Sequence, residues 1–469
     1  MSKKTKKIIL IICILIFIIG APLVAFYSKG YRFDVENKKL TKTGAFFIEV
    51  KPTRTNIYLN EVKERRTDLF FGSSFIKNLI PKKYNLKLVK EGYHAWKKNL
   101  EIKEQTVTEV TNVSLIPKNP EQEKINSKIE RLWFFPNNTK ILLKNKAEED
   151  WELKLYNLDK KLKSHLIAKD DFSTSSIDLL ELNFGPNSEK ILFKLGIKEQ
   201  IKYQILTTEP FPPKLKKLSK LANIKPGEKV IFNPNNTNEI IFQKNNNIYV
   251  YNIETEEINY YYPDLSQNGK EIITFAKNYN SNNLIFLTES GFIYNSYPGE
   301  KINSKKLDIK KETEYKIKDS NNFIFILEKQ SGSFYAINKE TKKITLVDKR
   351  INSFTFSPHR DKLAYNSDYE IKTFYLKDQS SQPFNKKGDK IFISRFSNKI
   401  KQLEWLNNEY LIFKANNTVK ITETDTRDNI NVVNLLTFES KFNLKWESSN
   451  KELLVYKDKE LFSYKLSTF

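Results

Sequence analysis

KILLK at residues 140–144 packs three apolar side chains between two lysines, and variants of it return seven times: KILFK (190–194), EIIFQ (239–243), NLIFL (283–287), NFIFI (322–326), KLAYN (362–366), YLIFK (410–414) and ELLVY (452–456). Successive copies begin 39 to 50 residues apart. Each follows a polar turn rich in Asn, Pro and Ser, and before that turn stands another short apolar run, such as LWFFP (132–136), LNFGP (182–186), VIFNP (230–234) and FTFSP (354–358). A further run of mixed character comes after most copies, as in WELKLYNL (151–158), NIYVYNI (247–253) and IKTFYL (371–376). Three or four short strands per unit, at a period near 45, is the spacing of β-propeller blades. The apolar second strand of each unit should be buried on both faces and the alternating third strand on one. The spacing predicts seven or eight blades over residues 131–469, with the fifth unit the least regular. Residues 118–130 form a linker whose segment 124–131 is placed to supply an outer strand to the last blade and close the ring.

Residues 1–7 carry four lysines and no acid, and residues 8–27 then run without a charge. Twenty apolar residues rising about 1.5 Å each span about 30 Å, the hydrocarbon thickness of a bilayer. Lysines ahead of such a span favour retention on the cytoplasmic side, so the expected topology is a cytoplasmic stub (1–7), a transmembrane anchor (8–27) and an extracytoplasmic remainder. Cleavage as a signal peptide near Leu23-Val24-Ala25 is the rival reading, and the length of the apolar run favours an uncleaved anchor. Cys13, the only cysteine, lies inside the span, so no disulfide or cysteine-based metal site is expected beyond it.

After a stalk at 28–43 comes a block of alternating strands at 44–117: AFFIEV (45–50), TNIYLN (55–60), YNLKLVKEGY (84–93) and a closing run from WKKNLEI to VTNVSLIP. Period-two alternation at Tyr84, Leu86 and Leu88 and at Ile48 and Val50 gives one buried and one wet face. Pro52, Ile57-Tyr58-Leu59-Asn60, Leu79-Ile80-Pro81, Tyr84, Glu91-Gly92-Tyr93, Trp96 and Leu115-Ile116-Pro117, in that order, resemble the PEGA domain. The four-residue turn that names the family stands here as Pro52-Thr53-Arg54-Thr55. The resemblance implies a small extracytoplasmic β-sandwich, an accessory module without catalytic residues, in which Trp96 fills the core. The repeat region resembles TolB-like and WD-repeat propellers in period and strand order alone, and that resemblance implies no activity. The expected chain is therefore all-β: an N-terminal transmembrane helix, a PEGA-like β-sandwich and a propeller.

The net charge of +23 divides as +7 over residues 1–43, +5 over 44–117 and +11 over the remaining 352. A reader of nucleic acid would concentrate its basic residues in a block interleaved with aromatics, so nucleic acid is not the expected partner. The clusters at 161–163, 214–217 and 305–311 read as water-exposed outer strands or loops. No G-x-S-x-G elbow, Walker loop, dinucleotide fingerprint or H-E-x-x-H motif is present. The three histidines, His94, His165 and His359, belong to separate strands or turns, which argues against a metal site. No catalytic, cofactor-binding or metal-binding residue is nominated, and no cofactor is expected. Tyr260-Tyr261-Tyr262 cannot all point inward and form the one candidate interaction patch. The expected function is that of a membrane-anchored, extracytoplasmic binding or scaffolding protein of the cell envelope, non-catalytic, whose propeller loops meet a protein or a glycan. A propeller polysaccharide hydrolase and a salt-sensitive polyanion-capturing protein are the alternatives.

Overall fold

The computed structural model describes residues 3–469 apart from 137–138, 147–149, 173–176, 198–199, 222–223, 225–228, 245–246, 262–271, 279–282, 297–300 and 311–312. A helix, Lys3–Ser28, leads the chain, with its apolar side chains uncovered by protein. Its segment Thr5–Ser28 is long and apolar enough to cross a membrane. The stretch expected to be a stalk folds instead as a hairpin, Tyr31–Asp34 against Lys39–Lys42. The cause is local: Asp34 Oδ1 accepts the backbone N–H groups of Glu36 (3.0 Å) and Asn37 (3.1 Å), an Asx-turn that reverses the chain. Thr41 Oγ1 donates to Glu104 at 2.5 Å and Lys82 pairs with Glu36 at 2.8 Å, so the hairpin is tied to the block that follows.

That block is a two-sheet β-domain. Gly44–Lys51 is central in a three-stranded sheet, antiparallel to Ser73–Leu79 and parallel to Val107–Ser114. The second sheet orders Val62–Arg66, Asn56–Leu59, Lys83–Val89 and Trp96–Glu101, all antiparallel. Alternate residues of Lys83–Val89 (Tyr84, Leu86, Leu88) and of Trp96–Glu101 (Trp96, Lys98, Leu100) are buried. Phe46, Ile48, Val50, Ile57 and Leu86 fill the core between the sheets.

Residues 122–465 form eight successive antiparallel sheets among the described residues, seven of four strands and one of three, which is the architecture of a β-propeller. Counted along the chain, blades 1 to 8 cover 129–168, 178–217, 230–260, 272–295, 315–348, 353–395, 400–437 and 442–465. The eight repeats seen in the sequence are the second strands, and they are buried on both faces: Phe323–Glu328, Lys362–Asn366 and Tyr410–Ala415 are buried at every position. The outer strand of blade 8 is Gln122–Asn126, paired antiparallel with Glu460–Lys465, so the ring closes with a strand from the other end of the repeat region. This closing strand is shorter and earlier than 124–131, because Ile129–Phe134 is already the first strand of blade 1. The unit expected to be least regular, blade 5, has four strands, and its first turn is secured by Ser320, whose backbone N–H and Oγ both meet the Phe323 carbonyl. Blade 4 is the sheet with three described strands.

Side chains join the inner strands of neighbouring blades. Asn183 accepts the Phe232 N–H at 3.2 Å, Trp405 Nε1 donates to the Thr355 carbonyl at 3.1 Å, and Glu404 accepts the Trp446 N–H at 3.1 Å. Because neighbouring strands run antiparallel, the turn between first and second strands and the turn between third and fourth lie on one face of the ring. Turns between second and third strands, with the links to the next blade, lie on the other. The former is the first face of the ring and the latter the second.

The β-domain sits on the first face. Lys98 is wholly buried, and its Nζ lies 2.8 Å from Glu423 Oε1 and donates to the carbonyls of Asp425 (2.8 Å), Arg427 (2.8 Å) and Asn429 (3.0 Å) in the last turn of blade 7. Glu423 also accepts the Trp96 indole N–H at 2.6 Å and the Asn431 backbone N–H at 2.8 Å. Burial pushes the Glu423 carboxyl above its ordinary value, and Lys98, the Asn431 N–H and the indole oppose that push. Around this centre Asn99 N–H donates to Asp428 at 2.8 Å, Arg427 reaches the Glu109 carbonyl at 2.8 Å, and Tyr410 Oη accepts the Ser114 N–H at 3.1 Å. Trp96, expected to fill the small domain's core, does so and also joins that domain to the propeller.

Candidate ligand-binding site

A cavity of about 630 Å³ opens on the second face between blades 5 and 6. Its walls are the turn after Phe323–Glu328, the link after Ile344–Asp348 and the turn after Lys362–Asn366. Gly332 lets two of these walls meet. Its φ is +68°, and a Cβ there would stand 2.6 Å from the Ile351 nitrogen and 2.7 Å from Arg350 Cα, closer than real Cβ atoms come. Gly332→Ala is therefore expected to cost about 1–2 kcal/mol for the left-handed backbone, plus the displacement of the Arg350–Ile351 link. Equilibrium urea unfolding of wild type and variant would read this, and an unchanged midpoint would contradict the close approach.

The charges of the cavity divide into paired and unpaired groups. Lys372 lies 2.8 Å from Asp348 and 3.0 Å from Glu370, Arg395 pairs with Glu370, and Lys399 holds Asp368 at 2.8 Å. Each acid is thus already matched. Lys329, Lys349 and Arg350, exposed on the rim, have no acidic partner among the described residues, so the unbalanced charge of the recess is positive. At its floor lies Tyr365, which is 1% exposed and packs at 5.3 Å on Phe334. Burial, with the nearby Asp348 and Glu370 carboxylates, raises the phenol well above its ordinary range, so it remains a neutral donor throughout the physiological range. Tyr369 is 41% exposed and offers an aromatic face at the mouth. A cationic rim, a buried hydroxyl and an accessible ring suit an acidic ligand of saccharide size.

The tyrosine triplet lies elsewhere. Tyr260 is 61% exposed in the outer strand of blade 3, where its ring packs at 4.9 Å on Tyr249, which stacks at 5.3 Å on Phe242. Tyr261 turns inward, its ring 6.3 Å from Phe286 of blade 4. Tyr262 lies outside the described residues. No group of three metal-ligating side chains occurs among the described residues. Sequence reading missed the recess because its residues come from three turns and share no motif; Gly332, in Gln330-Ser331-Gly332-Ser333, was the one local signal.

No protein-family model matches the chain, and no curated protein matches it. Solved structures similar to it include the Dos1 propeller (13% identity, 74% of this chain and 96% of that chain, TM-score 0.46). The Cps50 (Swd1) β-propeller domain of Myceliophteria thermophila is 10% identical over 74% of this chain and 100% of that one (TM-score 0.38). An oligogalacturonate lyase in complex with manganese is 10% identical over 74% and 98% (TM-score 0.39). At this distance none of them assigns a role to any residue here.

Proposed function

We propose that this protein is a membrane-anchored, non-catalytic binding protein of the cell envelope, whose propeller holds an acidic glycan in the recess between blades 5 and 6. The observation that carries the reading is the placement of the β-domain. The chain leaves the apolar helix, enters that domain and is bound through Lys98 and Glu423 to the first face, while the recess opens on the second. A protein tethered in this way presents the recess away from its tether. The lysines ahead of the helix favour an N-terminus in the cytoplasm and a propeller outside it. The PEGA-like residue pattern of 44–117, with two sheets and a shared core, supports an envelope accessory module. The matched acids of the recess favour binding over acid–base chemistry, and a protein partner meeting the exposed Tyr260 is the second contact this reading allows.

Two measurements test it. A C-terminal tag on the membrane-bound protein should be removed by a protease added to intact cells; protection that persists after any outer barrier is opened would reverse the topology. The full-length protein in neutral detergent, applied to an array of acidic and neutral glycans, should retain acidic ones. Retention should fall when Tyr365→Phe removes the floor hydroxyl, by about tenfold for one lost hydrogen bond to a charged group. Equal retention of neutral glycans, or indifference to Tyr365→Phe, would remove the recess from the reading.

A further inference from the structure

We propose that the hairpin 31–42 lies on the membrane that holds the helix, with the side chains of Phe33 and Leu40 in the headgroup layer and its free lysines on anionic lipid. The inference rests on the membrane-anchored reading and adds to it a second lipid contact, outside the span. In the hairpin Tyr31 stands opposite Lys42 and Phe33 opposite Leu40, so these four side chains share one side of the ribbon. Arg32, Thr41, Asp34 and Lys39 belong to the other side. Thr41 and Asp34 are buried, and Thr41 bonds to Glu104, so that other side is the one turned to the β-domain. Phe33 and Leu40, with Val35 at the turn, are each more than half exposed. Apolar side chains scattered singly on a surface need no partner, but a cross-strand pair with a third beside it forms a patch.

The helix says what covers that patch. The Tyr31 ring meets Phe26 edge-on at 5.4 Å, and Phe26 belongs to the uncharged run, so the side carrying Tyr31, Phe33 and Leu40 continues the surface of the span. The joint between helix and hairpin is held in place. Arg32 donates to the Tyr27 carbonyl at 2.9 Å, its guanidinium lies 3.5 Å from the centre of the Tyr27 ring, and the Thr43 N–H donates to the Gly30 carbonyl at 2.9 Å. Tyrosines at the end of a span sit at headgroup level. Phe33 follows Ser28 by five residues, a reach of about 17 Å even when fully extended, so the patch stays beside the headgroups. The charges agree with this placement. Residues 28–43 carry five basic and two acidic side chains. Asp34 is taken up by its turn and Glu36 by Lys82, whereas Lys29 and Lys38 are exposed without an acidic partner among the described residues. Exposed apolar groups bordered by free cations fit an anionic lipid surface, while the core of a protein interface is depleted of lysine.

The test uses the full-length protein in phosphatidylcholine vesicles containing about 30% phosphatidylglycerol as the anionic lipid. A nitrobenzoxadiazole probe is attached through Val35→Cys in a Cys13→Ser background, and flotation of the protein with the vesicles is scored in parallel. Spin-labelled lipid quenches the probe from the membrane side and iodide from the water side. The expected result is flotation, strong lipid quenching and little quenching by iodide. Phe33→Ser with Leu40→Ser, at exposed positions outside the folded core, should lower lipid quenching about threefold while flotation persists. Exchanging the phosphatidylglycerol for phosphatidylcholine should lower it about twofold. Flotation with lipid quenching unmoved by the two serines, or unmoved by loss of the anionic lipid, would overturn the proposal and leave the anchor standing. Shielding from both quenchers would show that a second copy or another protein covers the patch, which also overturns it. Failure to float would remove the anchored reading and this inference with it.

Discussion

Lys98→Met is expected to destabilise the union of the β-domain and the propeller by about 3–5 kcal/mol, the cost of leaving one member of a buried ion pair without its partner. In the wild type the Lys98 ammonium meets one carboxylate and three carbonyl oxygens of a single turn, and its side chain has no solvent contact. Removing it strands Glu423, whose side chain is 4% exposed, and frees the carbonyls of Asp425, Arg427 and Asn429 without water to replace the donor. Hydrogen exchange should therefore rise across 424–431 while the inner strands of blades 1 to 4 keep their protection. Lys98→Met with Glu423→Leu removes both charges and should recover part of the loss, though the Trp96 indole then lacks its acceptor. Unchanged exchange at 424–431 in the single variant would show that the apolar contacts of the interface suffice.

Phe325→Ala should cost about 3–5 kcal/mol, the range for deleting a buried aromatic ring. Phe325 has no exposed surface and is the hub of the blade 5/6 core: its ring lies 5.4 Å from Phe374, 5.7 Å from Phe334, 5.9 Å from Phe356 and 6.2 Å from Phe354. Those rings come from both blades, so the cavity opens at a joint of the ring rather than within one sheet. Urea unfolding followed by tyrosine fluorescence should show an earlier midpoint. Phe325→Leu, which keeps much of the volume, should lose less than half as much. A loss below about 1 kcal/mol for the alanine variant would mean that the neighbouring rings close the space without strain.

Blade 5 marks the limit of reading periodicity as regularity. NFIFI belongs to the unit expected to be the least regular, yet the strand is buried throughout. Burial on both faces removes the alternation that identifies a strand, so periodicity alone does not mark such a strand. The hairpin at 31–42 was missed because its strands have four residues each and only the Asp34 turn announces them. Of the basic clusters adjacent in sequence, 161–163 straddles the start of the outer strand Leu162–Ala168 and 214–217 forms an outer strand.

The sequence by itself determined the repeat and its period, the eight buried second strands, the apolar N-terminal segment and the alternating strands of 44–117. All of these are set within a few residues, by the burial pattern of a strand or the length of an apolar run, and so are written locally. Only the tertiary structure decided that Trp96 and Lys98 would meet Glu423 and that turns of blades 5 and 6 would enclose a recess. Those juxtapositions depend on ring closure by Gln122–Asn126 and on the packing of one sheet against the next, which bring together residues with no periodic relation in the chain.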